Sequence, residues 1–245
     1  MQTSNPAFSA DSFVRARGAA VGADAMTIQG TISKTGILIA CALVPAVTVW
    51  DMYAHGNQAV MGYTTIGAIV GMAFALATIF VPTWAPITAP LYAVGEGVFL
   101  GGISAVFETR YPGIVAPAII STFGVLICML AAYRTGLVRA TEKFKLGVVA
   151  ATGAIALVYF VTIVLNLFHV AVPYIHSSGP IGIAFSVIVV GIAALNLILD
   201  FDLVERGAAS GMPKYMEWYS AFALMVTLVW LYLEILRLLS KLRDR

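Results

Sequence analysis

Long apolar stretches alternate with short polar connectors along most of the chain. A helix needs about 20 mainly apolar residues to cross the roughly 30 Å hydrocarbon core of a bilayer, and unpaired strands or loops do not cross it. Seven stretches meet this requirement: 36–53, 64–82, 87–106, 114–133, 147–168, 181–202 and 216–239. The connectors between them carry Pro, Gly or charged residues that end helices. The pattern predicts an all-α, polytopic membrane bundle of about seven transmembrane helices.

The region before the first apolar stretch has a different character. Residues 1–35 are polar and rich in Gly, Ala and Ser, with no apolar stretch of the signal-peptide type. We expect a flexible polar N-terminal segment over 1–35 on the cytoplasmic side, followed by one membrane domain over 36–245. Small residues are dense in the second and third spans, which favours close helix–helix approach in lipid; they are Gly67, Gly71, Gly95, Gly97, Gly101 and Gly102.

The composition agrees with a lipid environment. Of 245 residues, 60% are hydrophobic and 11% are charged, whereas a soluble domain has about 25% charged residues. The lipid bilayer is therefore the expected partner, and a net charge of +2 is too small to indicate nucleic acid binding. The sequence contains no Walker-type loop, HExxH or CxxC motif. We expect no enzyme activity, no cofactor and no metal site.

The distribution of Lys and Arg predicts the orientation, because these residues accumulate in cytoplasmic segments. With the N-terminus inside, the outer loops contain only Arg110, and the inner segments contain Arg15, Arg17, Lys34, Arg134, Arg139, Lys143, Lys145, Arg206 and Lys214. The basic tail opposes this bias, with Arg237, Lys241, Arg243 and Arg245. Either the tail is an exception to the rule or one segment is re-entrant, and both alternatives stay open at this point.

Acidic residues within or beside the spans are the candidates for function. A carboxylate at the bilayer centre costs at least about 2.5–3.5 kcal/mol, so such groups usually face protein or water. Glu96 lies midway along the third span, Asp200 and Asp202 close the sixth, and Glu217 opens the seventh. If the sixth helix ends near residue 205, Asp200 and Glu217 lie at similar depths. Such a pair shares a proton or binds a hard cation, so we predict that these four acids sense cations or protons.

Simpler structural roles compete with that interpretation. Asp200, Asp202 and Glu217 are also compatible with solvated interfacial positions. Their local partners would then be Glu205, Arg206 and Lys214. Glu96 suits a hydrogen bond to a neighbouring Ser, Thr or Tyr. Glu234 lies one turn before Arg237, which favours a local ion pair. The three His residues, His55, His169 and His176, lie in loops and have no second metal ligand in register.

Six ordered segments resemble the Bax inhibitor-1 family, and specifically its bacterial Bax inhibitor-1-like, YccA-type branch. The segments are MTIQGTISKTG (26–36), APLYAVGEGVFLGGISAVFETRYPGIV (89–115), TEKFKLGVVAATG (141–153), SSGPIGIAFSVIVV (177–190), ALNLILDFDLVERG (194–207) and PKYMEWYSAFALMVTLVWLYLEILRLL (213–239). The resemblance implies a seven-helix bundle whose last helix is central. It also implies a pH-sensitive calcium leak pathway in the bacterial inner membrane, gated by two acids on the sixth and seventh helices.

The two acids implied by the resemblance do not both carry over. The family's (Y/F)D motif matches Leu199-Asp200. On the seventh helix the family has LYLD, followed ten residues later by the Arg of LLR. Aligning on Leu236-Arg237 places Thr227 at the position of that Asp, whereas aligning on LYLE places Glu234 there. Replacement of the second acid by Glu217 is a third alternative.

Two functions follow as expectations. The first is a pH-sensitive cation leak channel that conducts calcium or responds to protons. The alternative is a non-transporting regulatory protein that acts on a membrane-protein partner. A calcium flux assay separates the two, because only the first predicts ion movement.

Overall fold

A computed structural model describes residues 25–168 and 179–244. The described residues form seven long α-helices and one short 3-10 turn, Pro82–Trp84, before α3. The helices are α1 (Ile28–Ala54), α2 (Val60–Phe80), α3 (Ala85–Arg110), α4 (Val115–Arg134), α5 (Glu142–Leu167), α6 (Pro180–Ala209) and α7 (Met216–Arg243). All seven are long and apolar enough to cross a membrane. The predicted all-α, multi-pass membrane bundle is therefore confirmed.

Two helices extend well beyond the predicted spans. The first begins at Ile28, eight residues before the predicted start at 36, because Thr27 caps it by accepting a hydrogen bond from Gly30 N. Helix α6 continues to Ala209, and Gly211, with φ of 65°, follows its end. The predicted polar segment 1–35 thus overlaps α1, and its residues 1–24 lie outside the described residues.

The C-terminal helix is central, as predicted. Of its most apolar 18-residue stretch, 56% is buried, against 17% for α1, α4 and α5. Helix α7 packs against α1, α3, α4 and α6, and its Glu234 and Arg237 also reach Tyr159 of α5. The outer helices leave apolar side chains exposed where lipid would contact them.

Close contacts between α1, α2 and α3 depend on glycine. A Cβ added at Gly97 or Gly101 would overlap the backbone of Ala42 or Ala46 in α1. A Cβ added at Gly67 would lie 2.8 Å from Gly95 O. These distances confirm the predicted role of small residues, which let the helix backbones approach each other.

Helix α7 runs the full length of the bundle. At its start, Glu217 bonds to Thr27, the N-cap of α1. At its end, Arg243 donates to Pro112 O in the α3–α4 turn, which lies at the opposite end of the molecule. This favours the first of the two alternatives, in which all the helices cross and the basic tail is an exception. Because Arg243 is bound by protein atoms, its charge says little about which side of the membrane the tail is on.

Candidate functional site

Helices α6 and α7 face each other in a regular antiparallel register. The Asp200 carboxyl of α6 lies beside the Thr227 hydroxyl of α7, and Lys241 Nζ of α7 donates to Ser186 Oγ of α6, 2.9 Å away. Fourteen residues separate Ser186 from Asp200, and fourteen separate Thr227 from Lys241. The contact between the helices therefore keeps one register over about 20 Å. We call this contact the α6–α7 seam.

Polar residues recur every seven positions on the α7 side of the seam. Seven residues are close to two helical turns, so such positions share one face. The members, which we call the α7 polar row, are Ser220, Thr227, Glu234 and Lys241, and they are 1%, 8%, 2% and 5% exposed. The row extends over about 30 Å along the helix axis, which is similar to the hydrocarbon thickness of a bilayer. A central helix in lipid thus carries a buried polar line from one end of the bundle towards the other.

Several buried oxygens on this line lack a hydrogen-bond partner. Within the described part of the chain, four buried side-chain oxygens have none: Asp200 Oδ2, Glu217 Oε2, Ser220 Oγ and Glu234 Oε2. Glu217 Oε2 is compensated by the charge of Lys34, whose Nζ lies 2.7 Å away. The other three belong to the α7 polar row or to Asp200, which faces it. Unpaired buried oxygens are costly, so a polar ligand or a cation that reached these oxygens would be stabilised by them.

Asp200 and Glu217 do not form the pair that the sequence predicted. Helix α6 ends at Ala209 rather than near residue 205, which places Asp200 about 14 Å inside the helix at about 1.5 Å per residue. Glu217 is only the second residue of α7. Their expected match in depth is therefore wrong, and the partner of Asp200 is Thr227, ten residues further along α7.

Glu217 instead connects α7 to the start of α1. Its carboxylate is fully buried and accepts hydrogen bonds from Thr27 N at 2.9 Å and Thr27 Oγ1 at 2.8 Å. Lys34 pairs with its other oxygen, and Lys214 Nζ lies 3.4 Å from the first. A Cβ at Gly30 would overlap this carboxylate. The geometry is that of a structural clamp between two helices.

Asp202 belongs to a surface ion-pair network. Its Oδ2 pairs with Arg206, one turn later on α6, and with Lys145 Nζ of α5 at 3.1 Å. Lys145 also pairs with Glu142 at 2.9 Å. The alternative in which Arg206 is a local partner at this junction is confirmed for Asp202.

Glu96 lies apart from the other candidates, between α2 and α3. A Cβ added at Gly71 of α2 would lie 3.1 Å from Glu96 Oε2. The described residues provide no hydrogen bond or ion pair to this partly exposed carboxylate, so the predicted bond to a Ser, Thr or Tyr is not found there. The four predicted sensing residues thus occupy four separate places.

Glu234 forms the predicted ion pair with Arg237, and α5 completes the cluster. Arg237 Nη1 lies 2.8 Å from Glu234 Oε1 and donates to Tyr159 Oη at 2.8 Å. Tyr159 Oη in turn donates to Glu234 Oε1 at 2.8 Å. One carboxylate oxygen is therefore saturated, while Oε2 is the unpaired one.

Comparison with known sequences decides the family. A sequence model of the family described as "Bax inhibitor 1 like" matches residues 5–244, nearly the whole chain. The chain belongs to the Bax inhibitor-1-like family. No curated protein and no solved structure gave a match.

The contact between α6 and α7 favours one of the two ways of aligning the seventh helix of this Bax inhibitor-1-like chain with the LYLD motif. Only the alignment on Leu236-Arg237 places the motif's acid position, occupied here by Thr227, beside Asp200. Glu234 lies seven residues further along α7, about 10 Å away on the same face. Under that alignment, which the α6–α7 contact favours, a hydroxyl occupies the position of the second acid that the resemblance implies.

The α7 polar row was not predicted, although its signal is present in the sequence. Four polar residues at a strict spacing of seven within an apolar helix indicate one polar face. A search restricted to acids finds only Glu234 among them. The row also contains two neutral residues and one basic residue, which are Ser220, Thr227 and Lys241. These three indicate a polar face only when their common spacing is considered.

Proposed function

We propose that this Bax inhibitor-1-like protein is a pH-sensitive cation leak channel of the bacterial inner membrane, with calcium as its principal ion. In this proposal the α6–α7 seam is the pathway and Asp200 is its cation- and proton-binding group. The N-terminus lies in the cytoplasm, as the distribution of Lys and Arg favours.

The environment of Asp200 is the observation that carries the proposal. Its Oδ2 is buried without a hydrogen-bond partner. Among residues 25–168 and 179–244 the carboxyl forms no ion pair, and its neighbour on α7 is the neutral hydroxyl of Thr227. An ionisable group inside a membrane span that lacks a counter-ion usually marks an ion or proton pathway. Glu217 and Asp202, in contrast, already have basic partners, so we assign them structural roles.

A single carboxylate limits how the site handles calcium. Calcium prefers six to eight oxygen ligands, and additional carboxylates raise its affinity. The Asp200 carboxylate and the Thr227 hydroxyl supply only part of such a shell, so water must supply the rest. This arrangement favours weak, transient occupancy, which suits a leak pathway better than a storage site.

Calcium uptake into liposomes containing the purified protein and an internal calcium dye tests the proposal. We expect uptake by the wild type, and a reduction of about tenfold or more in Asp200→Asn, because the substitution removes the carboxylate charge from the seam. Asp202→Asn is the matched control, since Asp202 lies in the ion-pair network outside the seam, and it should retain uptake. Equal uptake by all three proteins would refute the role of Asp200.

The missing second acid favours one alternative function. A non-transporting regulator of other membrane proteins needs no paired carboxylates, and Thr227 stands where the family's second acid would lie. The absence of uptake by folded wild-type protein would support this alternative, together with a membrane protein that co-purifies stably.

A further inference from the structure

A long apolar cavity lies between α1 and α4, with residues of α3 and α7 as its inner wall. Its volume is about 480 Å³. The lining extends from Ile39 to Trp50 on α1 and from Val115 to Phe123 on α4. Because Val115 is the first residue of α4, the cavity lies in the half of the bundle that contains the α3–α4 turn. We call it the α1–α4 cavity.

The α1–α4 cavity connects the lipid-facing surface to the central helix. Its lining includes exposed side chains of both outer helices, Val47 of α1 and Ile119 of α4. It also includes Met225 and Leu228 of α7, which are both buried. At 3.6 residues per turn, these two positions lie on the side of α7 away from Thr227. The cavity is therefore separate from the α6–α7 seam.

The chemistry of the cavity wall disfavours water as an occupant. None of the described residues in the lining is charged. Its hydroxyl groups already have partners: Ser104 Oγ and Tyr232 Oη lie 2.6 Å apart, and Thr122 Oγ1 donates to Ala118 O at 2.8 Å. The volume equals that of about sixteen waters at about 30 Å³ each, and each buried water needs about two to four polar partners. The wall suits an apolar occupant better.

The shape of the cavity fits a hydrocarbon chain rather than a helix of a protein partner. Along α1 the lining covers about 16 Å, which gives the 480 Å³ a mean cross-section of about 30 Å². An α-helix with its side chains is at least about 10 Å wide, which requires about 80 Å². An extended acyl chain is only one methylene wide, and the surrounding bilayer supplies such chains at high concentration.

We propose that the α1–α4 cavity binds one acyl chain of a phospholipid from the leaflet on the side of the α3–α4 turn. Trp50 lies four residues before the end of α1 at Ala54, where Trp typically marks the headgroup level. The headgroup stays at that level, and the chain extends inwards along α1 to Met225. The chain supplies van der Waals contacts that the walls of an empty cavity would lack.

A phospholipid with a diazirine in one acyl chain, reconstituted with the full-length protein, tests the proposal. After illumination we expect adducts on Met225, Leu228 or Tyr232, located by tandem mass spectrometry, because a chain on the outer surface does not reach these buried residues. Ile119→Trp should reduce the adducts on α7 by about fivefold or more, since the larger side chain occupies the space that the acyl chain needs.

Ile120→Trp is the matched control for this substitution. Ile120 is the next residue of α4, is exposed and does not belong to the lining. The adducts on α7 should therefore stay at the wild-type level. Phe123→Trp, at another lining position, replaces Ile119→Trp if that variant does not fold.

Two results would overturn the proposal outright. The first is labelling confined to the outer helices, with no adduct on α7. The second is equal labelling of α7 in the wild type and in Ile119→Trp, because the chain would then reach α7 by another route. A free fatty acid with the same diazirine is the second probe, and stronger labelling of α7 by it than by the phospholipid would contradict the assigned source of the chain. These outcomes do not depend on ion flux, so they leave the proposed leak pathway to its own test.

Discussion

The residue of α7 that lies beside Asp200 is Thr227, whose side chain ends in a hydroxyl group. This neighbour determines how many groups at the contact can ionise. A Thr hydroxyl donates one hydrogen bond to a carboxylate and brings no charge. Two acids at the same place would share a proton, because like charges in a poorly solvated site do not ionise together. The Asp200–Thr227 contact therefore supports a single titrating group rather than a coupled pair.

Thr227→Asp should convert this contact into a paired-acid site. We expect the variant to show a steeper dependence of calcium uptake on pH than the wild type, because two interacting carboxylates titrate as a coupled unit. Uptake in proteoliposomes across a pH series measures the effect. Thr227→Val is the control, since it keeps the shape and adds no charge. Identical pH profiles for the Asp variant and the wild type would contradict this account of the contact.

Removal of one partner from the Glu217 clamp should destabilise the protein. In Lys34→Met the buried Glu217 carboxylate loses its 2.7 Å partner and keeps Lys214 at 3.4 Å. Breaking a buried ion pair typically costs about 3–5 kcal/mol, and the remaining lysine should keep the loss below that range. Thermal unfolding in detergent should show a clearly lower midpoint. The double variant Lys34→Met/Glu217→Gln should recover part of the loss, because no uncompensated charge remains. If Lys34→Met matched the wild type, the clamp would have no structural importance.

Residue identity alone predicts the candidate acids but not their partners. The prediction that Asp200 and Glu217 lie at one depth depends on a sixth helix that ends near residue 205, before the stretch ERGAAS (205–210). The stretch is helical to Ala209, since neither charge nor Gly207 is sufficient to end a helix that packs against its neighbours. Each additional residue moves Asp200 about 1.5 Å deeper, and four such residues are enough to separate the two acids.

At the level of helices, glycine decides how closely α1 and α3 pack. Gly97 faces the Ala42 backbone so closely that a methyl group would force the helices apart. The sequence predicted the close approach from the density of small residues. It did not identify the contacting pairs, because each depends on the rotation of both helices about their axes.

Gly97→Ala should therefore lower stability despite the higher helix propensity of Ala. Overpacking typically costs about 1–3 kcal/mol, which exceeds the about 1 kcal/mol that Ala gains over Gly in a helix. Gly124→Ala in α4 is the matched control, because a Cβ there has no neighbour within 4 Å. Thermal unfolding in detergent compares the two. A similar midpoint for both variants would show that α1 and α3 can separate at little cost.

For the whole molecule, the central position of α7 explains why its polar residues matter. A polar row on an outer helix could face lipid or headgroups. Helix α7 is enclosed by other helices, and 56% of its most apolar 18-residue stretch is buried. The hydropathy pattern predicted the seven helices correctly, because length and apolar composition are properties of the local sequence. The central position of α7 was predicted only by the family resemblance. The hydropathy pattern does not show which helices contact each other, because it reflects only local sequence.

The basic tail shows the limit of charge counting for topology. Arg237, Lys241 and Arg243 count as three positive charges in the sequence, but Glu234, Ser186 and Pro112 O bind them within the bundle. The positive-inside rule concerns charges available to the membrane surface. Such bound residues contribute less to orientation than their number suggests.

Calcium uptake by wild type and Asp200→Asn in parallel proteoliposomes, each measured at neutral and acidic pH, tests the central claim most directly. The account predicts uptake by the wild type that changes with pH. It also predicts that uptake in Asp200→Asn is reduced about tenfold or more and that the remainder does not depend on pH. Uptake by Asp200→Asn that equals the wild type at both pH values would contradict the assignment of the α6–α7 seam as the pathway.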